Sequence, residues 1–130
     1  MSLLQAQPLD RFDSVNAENP VLDKLSQFMD KHALSELANS FSLRGEHHIQ
    51  KAMHGIENED VESLHFAFHA LKGSSGNVGL QELSNFCSKT EKLIIENDTI
   101  DYENLRTQLT KLIELFDDGK QGLQAYLAKL

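Results

Sequence analysis

The residues of this sequence whose types could do chemistry lie together on one predicted helix. Placed at about 100° per residue, residues 61–76 separate into an apolar face and an opposite polar face. On the polar face Lys72 follows His69 by one turn, so a nucleophile lies beside a fixed positive charge. Because an imidazole can attack a phosphoryl group and an ammonium can stabilise its oxygens, the pair indicates phosphoryl transfer. The apolar face consists of Leu64, Phe68, Leu71 and Ser75, and the polar face of Glu62, His65, His69, Lys72, Gly73 and Gly76.

Two glycines on the polar face also call for an explanation. Gly73 and Gly76 each cost a helix roughly 1 kcal/mol relative to alanine, and packing against the protein's own core does not explain them there. Gly73 lies four residues after His69, where a missing side chain leaves room for the loops of another protein around the imidazole. We therefore expect a partner to approach this strip of backbone closely.

Residues 69–79 read HALKGSSGNVG, and this stretch carries a resemblance. It resembles, without a gap, the H-x-L-K-G-(S/A)-(S/A)-x-x-x-G signature of the histidine-containing phosphotransfer (HPt) domains of bacterial and fungal phosphorelays. The resemblance implies that His69 accepts the phosphoryl group and that Lys72 stabilises its charge. It also implies a carrier rather than an enzyme, with no ATP site of its own. Its partners would be the receiver domains of a hybrid sensor histidine kinase and of a response regulator, with Mg²⁺ bound by the receiver.

The resemblance also implies a residue that orients the reactive ring. In the family an acidic or amide side chain on the next helix often holds the second imidazole nitrogen, and that position falls on Glu91 here. If Glu91 accepts a hydrogen bond from Nδ1–H of His69, Nε2 is the atom that becomes phosphorylated. The alternative is an ordinary surface glutamate.

Other residues near His69 are expected to contact the partner. His65 lies one turn before His69 and either tunes the local charge or is simply solvated. Phe66 lies at the rim of the same face and is either a docking contact or is covered by the N-terminal segment. The residues assigned to partner binding are Gly73, Gly76, His65 and Phe66.

The elements that must position these residues are helices. Both prolines lie in the first twenty residues, and leucine is twice as frequent as valine and isoleucine together. The periodicity predicts an all-α, antiparallel up-down-up-down four-helix bundle with an additional short N-terminal helix. Residues 1–18 are predicted to be a flexible lead-in to a domain over 19–130. The predicted helices cover about 20–31, 33–56, 61–75 and 80–96, and a last helix begins near residue 102. Gly45 is predicted to be a weak point in the second helix, and Gly119 and Gly122 in the last.

Charge and composition exclude several classes of protein. Twelve basic and twenty acidic residues give a net charge of −8, which argues against binding to nucleic acid or to anionic membranes. The sequence carries no recognisable signal peptide or membrane-spanning stretch, so we expect a cytoplasmic protein, and a monomer because no additional apolar stripe is evident. The single cysteine, Cys87, falls among the core positions and is expected to be a small buried side chain.

Two alternatives belong to other classes. Six histidines allow a metal-binding bundle of the hemerythrin-like or di-iron type, with Glu62-x-x-His65 as half of a motif. No second copy of that motif is present, and His65 and His69 are predicted to point away from the core, so no metal site is assigned. A helical adaptor that never carries phosphate is the other alternative, but it does not account for the exposed glycines.

Overall fold

The computed structural model describes residues 18–130, and within that range all regular structure is helical. Residues 1–17, which contain nearly all of the predicted lead-in, lie outside the described part of the chain. None of the described helices has the length and apolar character needed to cross a membrane. The helices are α1 (Pro20–Leu25), α2 (Lys31–Glu57), α3 (Val61–Asn77), α4 (Gln81–Glu96) and α5 (Tyr102–Ala128).

The helix starts follow from side chains that cap free backbone N–H groups. Asn19, Asp60 and Asp101 each accept a hydrogen bond from the backbone of the first turn that follows, at 3.0, 3.2 and 3.0 Å. Asn and Asp are residue types that favour this capping position, so Asn19 before Pro20 and Asp60 before Val61 are also visible in the sequence as helix starts. The predicted extension of the first helix to Lys31 is wrong, because Asp30 caps Ala33 N–H at 2.9 Å and begins a new helix there.

The four long helices form the predicted up-down-up-down bundle. Helix α2 packs against α3 and α5, and α4 packs against the same two helices, so each long helix contacts two neighbours. Leucine, isoleucine and phenylalanine side chains from all four fill the space between them. Among the largest fully buried side chains are Leu34, Ile56, Leu64, Phe68, Leu71, Leu112, Phe116 and Leu123.

Two of the glycines that the sequence marked as weak points are close packing contacts instead. Helix α2 is continuous through Gly45, where a Cβ would overlap the ring of Phe116 on α5. Helix α5 is likewise continuous through Gly119, where a Cβ would lie 2.7 Å from Leu80 Cδ1. The prediction of weak points at Gly45 and Gly119 is therefore wrong, because the missing side chains let neighbouring segments approach closely.

Helix α1 closes one end of the bundle. The Asn19 side chain donates a hydrogen bond of 2.8 Å to the carbonyl of Val78, next to the turn between α3 and α4. Gly79 in that turn has a φ of +79°, and a side chain there would overlap Asn19. On the other side, the Tyr126 hydroxyl donates a hydrogen bond of 2.6 Å to Asp23. These contacts fix the α3–α4 turn and with it the alignment of the two helices that carry the site.

Candidate functional site

His69 lies in the middle of α3, on the side away from the core. Its neighbours Phe68 and Leu71 are fully buried, whereas the His69 side chain is 62% exposed. The helical period thus divides α3 into a core face and an open face, as the sequence predicts. An exposed imidazole held on a packed helix is accessible to another protein without any opening of the bundle.

Glu91 on α4 connects the polar side chains of α3. It is only 6% exposed, and its carboxylate oxygens contact three residues from the neighbouring helix. Oε2 lies 2.8 Å from His69 Nδ1 and 2.9 Å from His65 Nε2, and Oε1 lies 2.8 Å from Lys72 Nζ. Residues on one face of α3 therefore converge on a single buried carboxylate.

The protonation state of Glu91 determines which ring nitrogens carry hydrogen. Burial by itself raises the pKa of Glu91, but hydrogen bonds from Lys72, His69 and His65 and the Lys72 charge outweigh it, so the pKa falls to about 2. At neutral pH the group is a carboxylate, which only accepts hydrogen bonds. His69 must then donate through Nδ1–H, and His65 through Nε2–H. The Nε2 atom of His69 is left with a free lone pair.

Lys72 is held beside the reactive ring. Its side chain is 35% exposed, and its ammonium forms a charged hydrogen bond with Glu91. The Ser84 hydroxyl on α4 donates a hydrogen bond of 2.8 Å to the backbone carbonyl of Lys72, which ties this turn of α3 to α4. Sequence reasoning did not single out Ser84, and only its position on the α4 side facing α3 distinguishes it.

His65 is not simply solvated. Its side chain is 44% exposed, and the contact with Glu91 holds its ring close to that of His69, with 6.0 Å between the ring centroids. The spacing of four residues between the two histidines was visible in the sequence. The shared carboxylate was not, because it depends on how α3 and α4 align.

The two glycines differ in their surroundings. Among residues 18–130, nothing lies within 4 Å of a Cβ placed at Gly73, so this position is open there. Gly76 is half-buried, and a Cβ there would lie 3.5 Å from the Ser84 hydroxyl. The expectation that both glycines lie on the exposed face therefore holds for Gly73, whereas Gly76 lies against α4. The open strip of backbone beside His69 centres on Gly73.

Phe66 lies at the rim of α3 next to α2. It is 57% exposed, its ring meets the edge of His48 at a centroid distance of 6.0 Å, and Lys51 Nζ lies 5.9 Å from its centroid. The alternative in which the N-terminal segment covers Phe66 falls on residues outside the described range. Within residues 18–130 the aromatic ring is available for contact.

Cys87 lies one turn before Glu91 and faces the core. It is fully buried, and burial together with the negative charge of Glu91 raises the pKa of its thiol to about 12. The thiol therefore stays protonated at physiological pH, which removes the thiolate needed for redox or metal chemistry.

One group of described residues has the donor atoms to hold a metal ion. His65, His69 and Glu91 each offer one ligand atom, and these atoms lie within 4.8 Å of one another. The group lies on the open side of α3 and α4, away from the apolar interior in which hemerythrin-like and di-iron sites are built.

The model of the Hpt domain family matches residues 22–119. The matched range contains all of α2, α3 and α4 and the whole cluster around Glu91. No match was found among curated proteins or among solved structures.

Proposed function

Because this chain belongs to the Hpt domain family, whose members carry phosphoryl groups on a histidine in two-component phosphorelays, we propose that His69 is its phospho-accepting residue. The phosphoryl group would come from a receiver-domain aspartate, for example that of a hybrid sensor histidine kinase. It would then pass reversibly to the aspartate of a response regulator. The observation that carries this assignment is the hydrogen bond of 2.8 Å between His69 Nδ1 and the Glu91 carboxylate.

This hydrogen bond supports attack through Nε2. The Nε2 lone pair forms the N–P bond while the bond between phosphorus and the aspartyl oxygen breaks, and its electrons return to the aspartate carboxylate. The ring becomes positively charged, and the buried carboxylate of Glu91 stabilises it through the Nδ1–H bond. In the reverse step the N–P electrons return to the ring, and Nδ1 keeps its proton throughout.

Lys72 contributes a positive charge close to the transferred group. Its ammonium is already within 2.8 Å of the Glu91 carboxylate that holds the ring. Phosphoryl oxygens are strong acceptors for an ammonium, so we assign Lys72 to their stabilisation during transfer. Glu91 keeps the ammonium beside His69 until those oxygens arrive.

The source of the phosphoryl group and the Mg²⁺ ion are assigned to the receiver domain. Hpt domains are carriers without kinase activity, so the phosphoryl group must arrive from another protein. We assign Mg²⁺ to the receiver, where it offsets the negative charge on the transferred group.

On this chain the open backbone at Gly73 and the exposed ring of Phe66 would form the docking face for the receiver. A monomer in the cytoplasm, where receiver domains act, completes the proposal.

The experiment is transfer from a receiver phosphorylated with a small phosphoramidate in the presence of Mg²⁺. We expect an acid-labile, alkali-stable adduct that mass spectrometry maps to His69. His69→Gln should keep the helical circular dichroism spectrum and lose the adduct, since the side chain is exposed. His32→Gln is the matched control, because His32 is an exposed histidine whose imidazole lies 3.5 Å from the Glu36 carboxylate on the same helix. Phosphorylation that persists in His69→Gln, or modification spread over all six histidines, contradicts the assignment.

A further inference from the structure

We propose that His65, His69 and Glu91 form a binding site for a divalent transition-metal ion of the Zn²⁺ type, and that the bound ion prevents His69 from accepting a phosphoryl group. The binding part stands on geometry alone. The inhibitory part rests on the proposed function.

The donor atoms already converge on one point. His65 Nε2 and His69 Nδ1 lie 2.9 and 2.8 Å from the same oxygen, Oε2 of Glu91, and all three atoms lie within 4.8 Å of one another. Ligand atoms around tetrahedral Zn²⁺, with bonds of about 2.0–2.1 Å, are separated by roughly 3.3 Å. Adjustments of roughly an ångström, within reach of two half-exposed imidazoles, therefore bring the three atoms into a coordination shell.

The composition of the cluster selects the class of ion. Two imidazole nitrogens and one carboxylate oxygen form an open three-ligand zinc site, with the fourth position left for water. Mg²⁺ prefers oxygen ligands in an octahedron and is a poor match for two imidazoles. Lys72 bonds to the other oxygen, Oε1, so it leaves Oε2 free for the metal, although its charge weakens binding.

Metal binding reverses the proton arrangement that phosphoryl transfer requires. Without metal, the hydrogen bond to Glu91 keeps the proton on Nδ1 of His69 and the lone pair on Nε2. A metal ion bound at Nδ1 requires a lone pair on that nitrogen, so the single proton of the neutral ring moves from Nδ1 to Nε2. His65 changes in the same sense, with its proton moving from Nε2 to Nδ1. No proton is lost, but the attacking atom of His69 no longer has a lone pair.

The first test measures binding without any partner protein. Zn²⁺ is titrated into the chelator-treated full chain by calorimetry, and the imidazole nitrogens are followed by proton–nitrogen NMR. We expect one ion per chain and an exchange of tautomer in both His65 and His69. His65→Gln should weaken the affinity at least tenfold, whereas His32→Gln should bind like the wild type. Equal affinity in wild type and His65→Gln, or unchanged tautomers at saturation, overturns the proposal.

The second test measures the consequence for transfer. Zn²⁺ should slow phosphorylation of the wild-type chain, a chelator should restore it, and the rate of His65→Gln should respond much less to the same Zn²⁺ concentration. Equal sensitivity of the two chains would place the inhibition on the receiver and overturn the inhibitory part. If His69 accepts no phosphoryl group even without metal, the proposed function fails while the calorimetric result still decides the metal site.

Discussion

Glu91 on α4 accepts a hydrogen bond of 2.8 Å from Nδ1 of His69 on α3, across 22 residues of chain. The carboxylate is buried and the imidazole is exposed, so the part of the pair that must remain fixed is shielded from water and the part that reacts faces outward. Because water has little access to a buried acceptor, the fold determines which nitrogen of the His69 ring carries the proton.

Removing the carboxylate should slow phosphoryl transfer without unfolding the bundle. Glu91→Ala deletes a charge-assisted hydrogen bond worth about 1.5–3 kcal/mol, so we expect a transfer rate lower by roughly tenfold to a hundredfold. The rate of transfer from a phosphorylated receiver is the measurement. Glu82→Ala, an exposed glutamate on the same helix, is the control and should transfer at the wild-type rate. A wild-type rate in Glu91→Ala would remove the orienting role.

Two substitutions at Gly73 should have separate effects, one on the stability of the bundle and the other on receiver binding. A Cβ there meets no atom of the described part of the chain within 4 Å, so Gly73→Ala should raise the free energy of unfolding by about 0.5–1 kcal/mol through helix propensity. Gly73→Leu should keep the bundle but weaken receiver binding, measured by calorimetry, because its side chain fills the open strip. Gly45→Ala is the contrasting variant and should destabilise, since its Cβ overlaps the Phe116 ring. Unchanged receiver affinity in Gly73→Leu would show that the partner docks elsewhere.

Most of the fold could be predicted from local sequence patterns. The apolar period and the caps Asn19 and Asp60 define the helices to within a few residues, apart from the end of α1. There the Asp30 cap was missed because it interrupts an otherwise continuous apolar pattern. The glycines of α2 and α5 were misjudged for a different reason. Sequence reveals that a side chain is absent, but only the packing of another helix reveals what occupies the space.

The candidate site likewise combines residues that could be predicted from the sequence with contacts that depend on the packing of the helices. His69 and Lys72 share one helix, so their proximity follows from the helical repeat. Glu91 came from the resemblance alone, because periodicity placed it only at the edge of an apolar stripe. The bond from His65 to the same oxygen could not be predicted, since it depends on how α3 and α4 align. That alignment is set by side-chain packing and by the turn at Gly79.

The thiol of Cys87 should be inert in the folded protein. It is fully buried and its pKa is raised to about 12, so almost no thiolate exists at pH 8. We expect reaction with a disulfide reagent to be at least a hundredfold slower in the native chain than in denaturant, where the thiol regains its ordinary pKa. The time course of absorbance from the released thiolate measures both rates. Rapid labelling of the native chain would show that α4 opens readily beside Glu91.

Glu91 should make the stability of the metal-free bundle depend on pH in the acid range. Its pKa lies near 2 in the folded chain and near 4.5 as an ordinary carboxyl, so the unfolded state binds a proton more readily. The stabilisation is therefore fully present above about pH 5 and is lost as the pH falls from 4.5 towards 2. Because the partners His65 and His69 are partly exposed, solvent screens their interaction with Glu91, and the stabilisation amounts to about 2 kcal/mol.

The measurement is the free energy of unfolding of wild type and Glu91→Gln, by urea denaturation in chelator-containing buffer between pH 2 and 7. The amide does not titrate, so the difference between the two chains isolates this carboxyl from the other acidic groups. We expect the difference measured at pH 5 to shrink steadily as the pH falls below 4.5. A difference that stays constant down to pH 2 would mean that the hydrogen bonds from Lys72, His69 and His65 do not favour the charged form of Glu91 over the neutral one.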